Sequence, residues 1–447
     1  MSRLLVEKGT LLGLRSPEDI QVGTDLYAED GTIRALGEEA ARMASRPGEP
    51  VERLDASSKW IIPGFVQAHL HLCQTLLRNG PENLELLPWL EHHIWPGEAA
   101  HDADTMGISA RLGLAECLSS GVVAVLDMGS IRHADALFRT AARSGIRYTG
   151  GNVLMDDSET TPVNLRARAE DGLAETERLR AFWHERERGR LRVAVQPRFA
   201  VTSTEVLLRR AAQYAAEKDL LIHTHASENR GEIDIVRMRT GLSNITYLDT
   251  VGLLTKRTCL AHAVHTEPSE REVLALRKTS VVHCPSSNLR LKSGVSPILD
   301  LRAAGVRVCL GSDSAACNDH LDAFAEMRLA ALLPRAANPP RTLFALEALR
   351  MATWEGAHAL GLPGEEGLVP GARADLALLD PERAWALPTE WSEKPYAAIV
   401  FSMGRENVFA TVVDGVVRYR VNDPTVMGLK PKPEDIREAV KKLKSRM

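Results

Sequence analysis

Ile61-Ile62-Pro63-Gly64-Phe65-Val66-Gln67-Ala68-His69-Leu70-His71 is an apolar run that passes through a Pro-Gly step and ends in two histidines one residue apart. Alternate side chains of an extended strand share a face, so His69 and His71 project together. Side by side, two imidazoles can share a cation, and imidazole suits zinc or ferrous iron near neutral pH. A His-x-His pair alone means little, since such pairs also fall on solvated strands. Its weight comes from the ends of later strand-like runs, where further single ligand-type residues recur.

Working outward, runs rich in Val, Ile or Leu occupy residues 64–71, 122–128, 147–153, 191–196, 220–225, 258–263, 280–283 and 306–311. Each is short and continuously apolar, as a strand buried on both faces must be. Amphipathic helical stretches separate them, for example residues 104–119, capped by Asp, and residues 204–218, which follow a Ser-Thr step. The alternation predicts an α/β chain built as a (β/α)8 barrel over residues 63–365, with reactive groups at the carboxyl ends of its strands.

The flanks have a different character. Leu4-Leu5-Val6, Asp25-Leu26-Tyr27, residues 32–36 and Trp60-Ile61-Ile62 are short strands split by Gly, Asp and Pro, and residues 374–380 and 408–415 resemble them. Neither flank closes a core alone. Residues 1–62 and 366–432 are therefore expected to combine into one small β-sandwich domain with the barrel inserted between them. Residues 433–447 read as a charged, solvated closing helix.

Composition sets the outer limits. The chain has 447 residues, 44% hydrophobic and 26% charged, with 55 basic against 59 acidic residues, a net charge of -4. That balance gives no reason to expect nucleic acid or a membrane surface as partner. The six cysteines form no C-x-x-C pair and sit mostly in apolar runs, as buried free thiols do. With no signal-peptide pattern at the start and no apolar run long enough to span a bilayer, a cytoplasmic location is expected.

Read in order, the strand ends give His69 and His71, then His223-Thr224-His225-Ala226-Ser227-Glu228, His262-Ala263-Val264-His265, His283-Cys284-Pro285-Ser286-Ser287-Asn288, and Gly311-Ser312-Asp313-Ser314. A barrel core normally excludes histidine, so repeated placement at one rim is hard to assign to packing. The signatures H-x-E…P-C-x-x-C, H-E-x-x-H, G-x-S-x-G and the P-loop are absent.

The motifs P-G-F-x-x-x-H-x-H (63–71), H-T-H-A-S-E-N (223–229), L-A-H-A-V-H (260–265), H-C-P-S-S-N-L-R-L (283–291) and G-S-D-S-A-A-C-N-D (311–319) together resemble the amidohydrolase superfamily, in its branch of metal-dependent purine and nucleoside deaminases. The resemblance covers nearly the whole chain. It implies His69, His71, His225 and Asp313 as metal ligands; His225 rather than His223 is chosen because the family's ligand stands three residues before the glutamate. His223 is expected to be structural, and His283 is left outside the assigned set. His92, His93, His101, His133, His184, His265, His320 and His358 are expected to be ordinary. The strand-four region, Ala194-Val195-Gln196-Pro197-Arg198-Phe199, lacks the bridging lysine of dinuclear branches. One divalent ion is therefore expected, zinc first, with iron or manganese as alternatives.

By the same resemblance Asp313 takes the proton of an attacking water, Glu228 carries a proton to the substrate ring, and His262 hydrogen-bonds the attacking oxygen. Trp89 and Glu98 match a stretch that contacts a nucleoside, with Glu98 on the ribose hydroxyls; at Arg198 many adenosine-type deaminases have His, and Pro197-Arg198-Phe199 resembles both guanine deaminases and the 5'-deoxyadenosine deaminase group, so Arg198 alone does not choose the base. The run from Ala316 to Ala330 tips the expected activity toward C6 deamination of an adenosine-type nucleoside, such as 5'-deoxyadenosine, methylthioadenosine or S-adenosylhomocysteine. Guanine, 8-oxoguanine or pterin base deamination, and triazine-type hydrolysis, are the alternatives. A barrel without catalysis is disfavoured by the full ligand set. Dimers or tetramers are expected from the relatives it resembles.

Overall fold

The apolar runs do form strands, and nearly all of their side chains are buried. The computed structural model describes residues 2–337, 339–383, 394–423 and 429–447. Its barrel strands are β1 (Phe65–Leu70), β2 (Val122–Asp127), β3 (Arg147–Gly150), β4 (Leu191–Pro197), β5 (Leu221–Ala226), β6 (Thr258–His262), β7 (Ser280–His283) and β8 (Val308–Leu310). They pair in chain order, all parallel, and the two-residue strand Val153–Leu154 adds to β4.

Closure is made at the carboxyl end. A parallel bridge joins Leu70 to Asp313, and Asp313 N–H donates to the His69 carbonyl at 3.1 Å. Gly311 permits this approach, because a Cβ there would stand 2.7 Å from the His69 carbonyl oxygen. The same contact that shuts the barrel thus brings the strand-eight aspartate against the strand-one histidines.

Helices cover the outside. Asp102 caps Ala103–Ser119 by accepting Thr105 N–H at 2.8 Å, and the Thr204 hydroxyl caps Glu205–Lys218. The expected closing helix is Pro433–Lys444. Rather than being wholly solvated, it buries Ala439 and Leu443 against Ala103–Ser119, and Arg446 pairs with Asp102 at 2.8 Å.

Both chain ends build a second, eight-stranded sheet. Trp60–Pro63 joins the ends by pairing antiparallel with Leu376–Leu379 and parallel with Arg3–Leu12, then runs directly into β1. Leu4, Val6, Leu11, Ile61, Leu376 and Val412 share its core. Arg3–Leu12 and Ile20–Glu29 are longer than the sequence suggests. The polar break at Glu7-Lys8-Gly9 is a bulge inside one strand, with Lys8 at φ 58°, not a turn between two. Helix Glu38–Ala44 and strands Glu52–Asp55 and Val416–Arg420 were not expected.

Beneath the barrel, Arg147 at the start of β3 pairs with Asp375 at 2.7 Å and Asp414 at 3.2 Å, tying barrel to sheet. All six cysteines are buried and free, as their setting implied. Among the described residues no helix is long and apolar enough to cross a membrane.

Candidate active site

At the mouth of the barrel, His69, His71, His225 and Asp313 converge, all of them buried. Asp313 Oδ1 lies 3.3 Å from His69 Nε2 and 3.3 Å from His71 Nε2; His71 Nε2 is 3.3 Å from His225 Nε2. His69 Nε2 has no hydrogen-bond partner among the described residues. Bare ring nitrogens facing one another and a carboxylate are a donor set for a cation, because an unpartnered buried nitrogen is otherwise costly. His69, His71 and Asp313 meet the spacing of such a set, as do His69, His225 and His262.

The surrounding contacts orient these rings. The Arg198 carbonyl accepts His225 Nδ1–H at 2.8 Å, which leaves the Nε2 lone pair of His225 aimed at the cluster. His69 Nδ1 meets His223 Nε2 at 2.8 Å, and a cation on His69 Nε2 requires that Nδ1 keep its proton and donate it there. His223, expected to be merely structural, therefore fixes His69, and Gln196 Nε2 stands 3.3 Å behind it. Ser287 Oγ donates to Asp313 Oδ2 at 2.6 Å, and Ser314 N–H donates to Oδ1 at 2.7 Å.

Electrostatics divides the groups by role. Burial holds His69, His71, His223, His225 and His262 below the ordinary imidazole range, so they are neutral. Burial pushes Asp313 up, but the rings of His69, His71 and His262 that face it more than offset this and hold it below the ordinary carboxylate range. Glu228 goes the other way: burial, then the charge of Asp313, raises it well above the carboxylate range, so it holds a proton. Its Oε2 lies 3.4 Å from His262 Nε2, while His262 Nδ1 meets Asn288 Oδ1 at 2.8 Å. With Nδ1–H donated to Asn288, His262 presents a lone pair toward Glu228.

The cavity above this cluster is lined by His71, Gln74, Trp89, Arg198, Glu228 and Leu291, among others. Trp89 ends helix Leu86–Trp89, just before a π-helical turn over Leu90–Ile94, a distortion common near functional sites. Trp89 and Arg198 line this cavity. Glu98 stands behind its wall, with Oε2 2.7 Å from Arg198 Nη1 and Oε1 accepting Gln74 Nε2 at 2.6 Å. A wider concavity, lined by Leu87, Trp95, Glu159 and Arg446, contains none of the converging groups.

Sequence reasoning missed Gln74, Gln196, Ser287, Asn288 and the function of His223. Ser287 and Asn288 sit inside the quoted strand-seven motif, which was the available signal. The Glu98–Arg198 pair had none, because its members are separated by 100 positions.

The model of the amidohydrolase family matches residues 60–418. The 5'-deoxyadenosine deaminase of Methanothermobacter thermautotrophicus is 36% identical over 383 residues, covering 85% of this chain and 87% of that protein. The 5-methylthioadenosine/S-adenosylhomocysteine deaminase of Moorella thermoacetica is 33% identical over 420 residues, covering 93% and 94%. An adenosine deaminase from Xanthomonas campestris, crystallised with bound zinc, superposes with a TM-score of 0.88 at 27% identity, covering 99% of each chain. With this match running through the whole barrel and its converging donors, the chain belongs to the amidohydrolase family of metal-dependent hydrolases.

Proposed function

We propose that this chain deaminates an adenosine-type nucleoside at C6, with one divalent ion held by His69, His71, His225 and Asp313. The observation that carries the reading is geometric: His69, His71, His225 and Asp313 converge in one buried site, with Glu228 Oε2 beside them 3.4 Å from His262 Nε2. Hydrolytic removal of an amino group needs one group to take a proton and another to give one. Three imidazole nitrogens and one carboxylate fit zinc, and they also accept iron or manganese.

When bound, the ion supplies Lewis acidity that lets water lose a proton near neutral pH. Asp313 accepts that proton as water oxygen adds to C6. Glu228 gives its proton to N1, so the ring gains no net charge as C6 becomes tetrahedral. His262, its Nδ1–H held by Asn288, accepts a hydrogen bond from the adding oxygen through Nε2. Asp313 returns its proton to the amino nitrogen while the remaining proton of the added oxygen passes to the Glu228 carboxylate, so the C6–N bond breaks as the C6–oxygen double bond forms. Ammonia leaves, and the inosine-type product keeps the oxygen.

Trp89 provides an apolar face for the purine, and Arg198 provides a donor fork whose charge is matched by Glu98. Glu98 then serves the nucleoside through Arg198 and Gln74. An Arg facing the cavity also suits a 6-oxo purine, so guanine is the comparison substrate. Ammonia release is measured with 5'-deoxyadenosine, methylthioadenosine, S-adenosylhomocysteine, adenosine and guanine in parallel. Release from at least one adenosine-type nucleoside, above that from guanine, is expected; release from guanine alone replaces the reading, and none from any purine removes it.

A further inference from the structure

Glu228 lies on a sharp turn between β5 and helix Arg230–Thr240. The residue before it, Ser227, holds φ 54°, a region that side-chain-bearing residues avoid. Something must hold that turn in shape. Glu232, fully buried in the first turn of the helix, reaches back to it. Its Oε2 accepts Glu228 N–H at 3.0 Å, and its Oε1 accepts Asn244 Nδ2–H at 2.5 Å.

A glutamate at this helical position often serves only the helix start. Here the helix already has a cap, since Asn229 Oδ1 accepts Gly231 N–H at 2.9 Å. Glu232 also bonds the N–H of the residue before the cap, the one carrying the proton-holding carboxyl. A second carboxyl this deep beside the first is unfavourable unless its position is needed.

We propose that Glu232, braced by Asn244, is a positioning residue that fixes the turn carrying Glu228 and so aims its carboxyl into the cavity. This rests on the reading of Glu228 as the proton carrier.

The hydrogen-bond chemistry gives a distinctive test. Both partners of Glu232 are donors, so a glutamine there offers one acceptor too few unless a partner adapts. Asn244 can adapt: its Oδ1 has no partner among the described residues, and turning its amide lets it accept instead of donate. Glu232→Gln is therefore expected to keep kcat within about threefold of the parent, whereas Glu232→Ala loses roughly 100-fold in kcat with KM and metal content little changed. Combining Glu232→Gln with Asn244→Leu removes the adapting partner and brings kcat down to the Glu232→Ala level.

Hydrogen–deuterium exchange of the 227–229 turn reads the brace without turnover. The Glu228 amide is expected to stay protected in the parent and in Glu232→Gln, and to exchange faster in Glu232→Ala. Unchanged exchange and kcat in Glu232→Ala overturn the proposal, as does a lower melting temperature with kcat intact, which assigns Glu232 to the helix start alone. Equal loss of kcat in Glu232→Gln and Glu232→Ala overturns it too, by making the charge the cause. A parent that deaminates nothing sinks the proton-carrier reading instead, while exchange still decides whether Glu232 braces the turn.

Discussion

Replacing Glu228 by glutamine keeps the shape of the side chain and removes only its exchangeable carboxyl proton. The parent group is 3% exposed, its Oε2 is 3.4 Å from His262 Nε2, and its Oε1 has no hydrogen-bond partner among the described residues. An amide fits that space without leaving a cavity or stranding a charge, so folding should survive. What it cannot do is pass a proton to N1. General acid–base groups contribute about 10²–10⁴ in rate, or roughly 3–5 kcal/mol of barrier at 1.36 kcal/mol per decade. Little room for a substitute proton donor exists once the cavity holds a purine, which argues for the upper half of that range. The assay is single-substrate ammonia release, with KM, metal content and melting temperature measured on the same preparation. A fall of about 10³-fold in kcat, with KM within about threefold and metal retained, is expected. A variant that keeps a third or more of the parent kcat would falsify the assignment of Glu228 as the proton carrier.

Two further substitutions probe the parts that hold the site and the fold. His223→Leu deletes the acceptor behind His69 Nδ1 and should weaken metal affinity about 10–100-fold, with activity restored by added metal; unchanged affinity means that His69 is oriented without it. Arg147→Met breaks the buried link to Asp375 and Asp414 at the opposite end of the barrel and should cost about 3–5 kcal/mol in urea unfolding at pH 7, with kcat of the folded fraction unchanged. Its pH dependence has a definite sign. Burial raises Asp375, but Arg147 and Arg373 more than offset this and hold it below its ordinary value. The stability it contributes is present above the unfolded value of about 3.9 and is lost as pH falls through the lower, folded one. The gap between parent and variant should therefore narrow below about pH 4; a gap that stays constant assigns the loss to packing.

Much of the architecture could be read from the chain because strands buried on both faces leave continuous apolar runs, and histidine at their ends stands out against such runs. His69, His71, His225, His262 and Asp313 fall where the strand ends place them. What stayed hidden depends on which ends meet. Glu98 stands alone in the sequence, and only the structure shows Arg198 and Gln74 donating to it. His223 looks like a spare histidine until its ring is found against His69. Lys8 and Gly9 look like a turn because charge and glycine mark turns and bulges alike. In each case the local signal is real, and the partner that fixes its meaning lies far away in sequence.

Metal binding by the purified chain reaches the centre of the account most directly. Protein stripped with a chelator and titrated with zinc should take up one ion per chain, regain activity in step, and show X-ray absorption fitted by three imidazole nitrogens and carboxylate or water oxygen. Uptake that stays unchanged when His69 and Asp313 are both replaced by alanine, or two ions bound per chain, would contradict it.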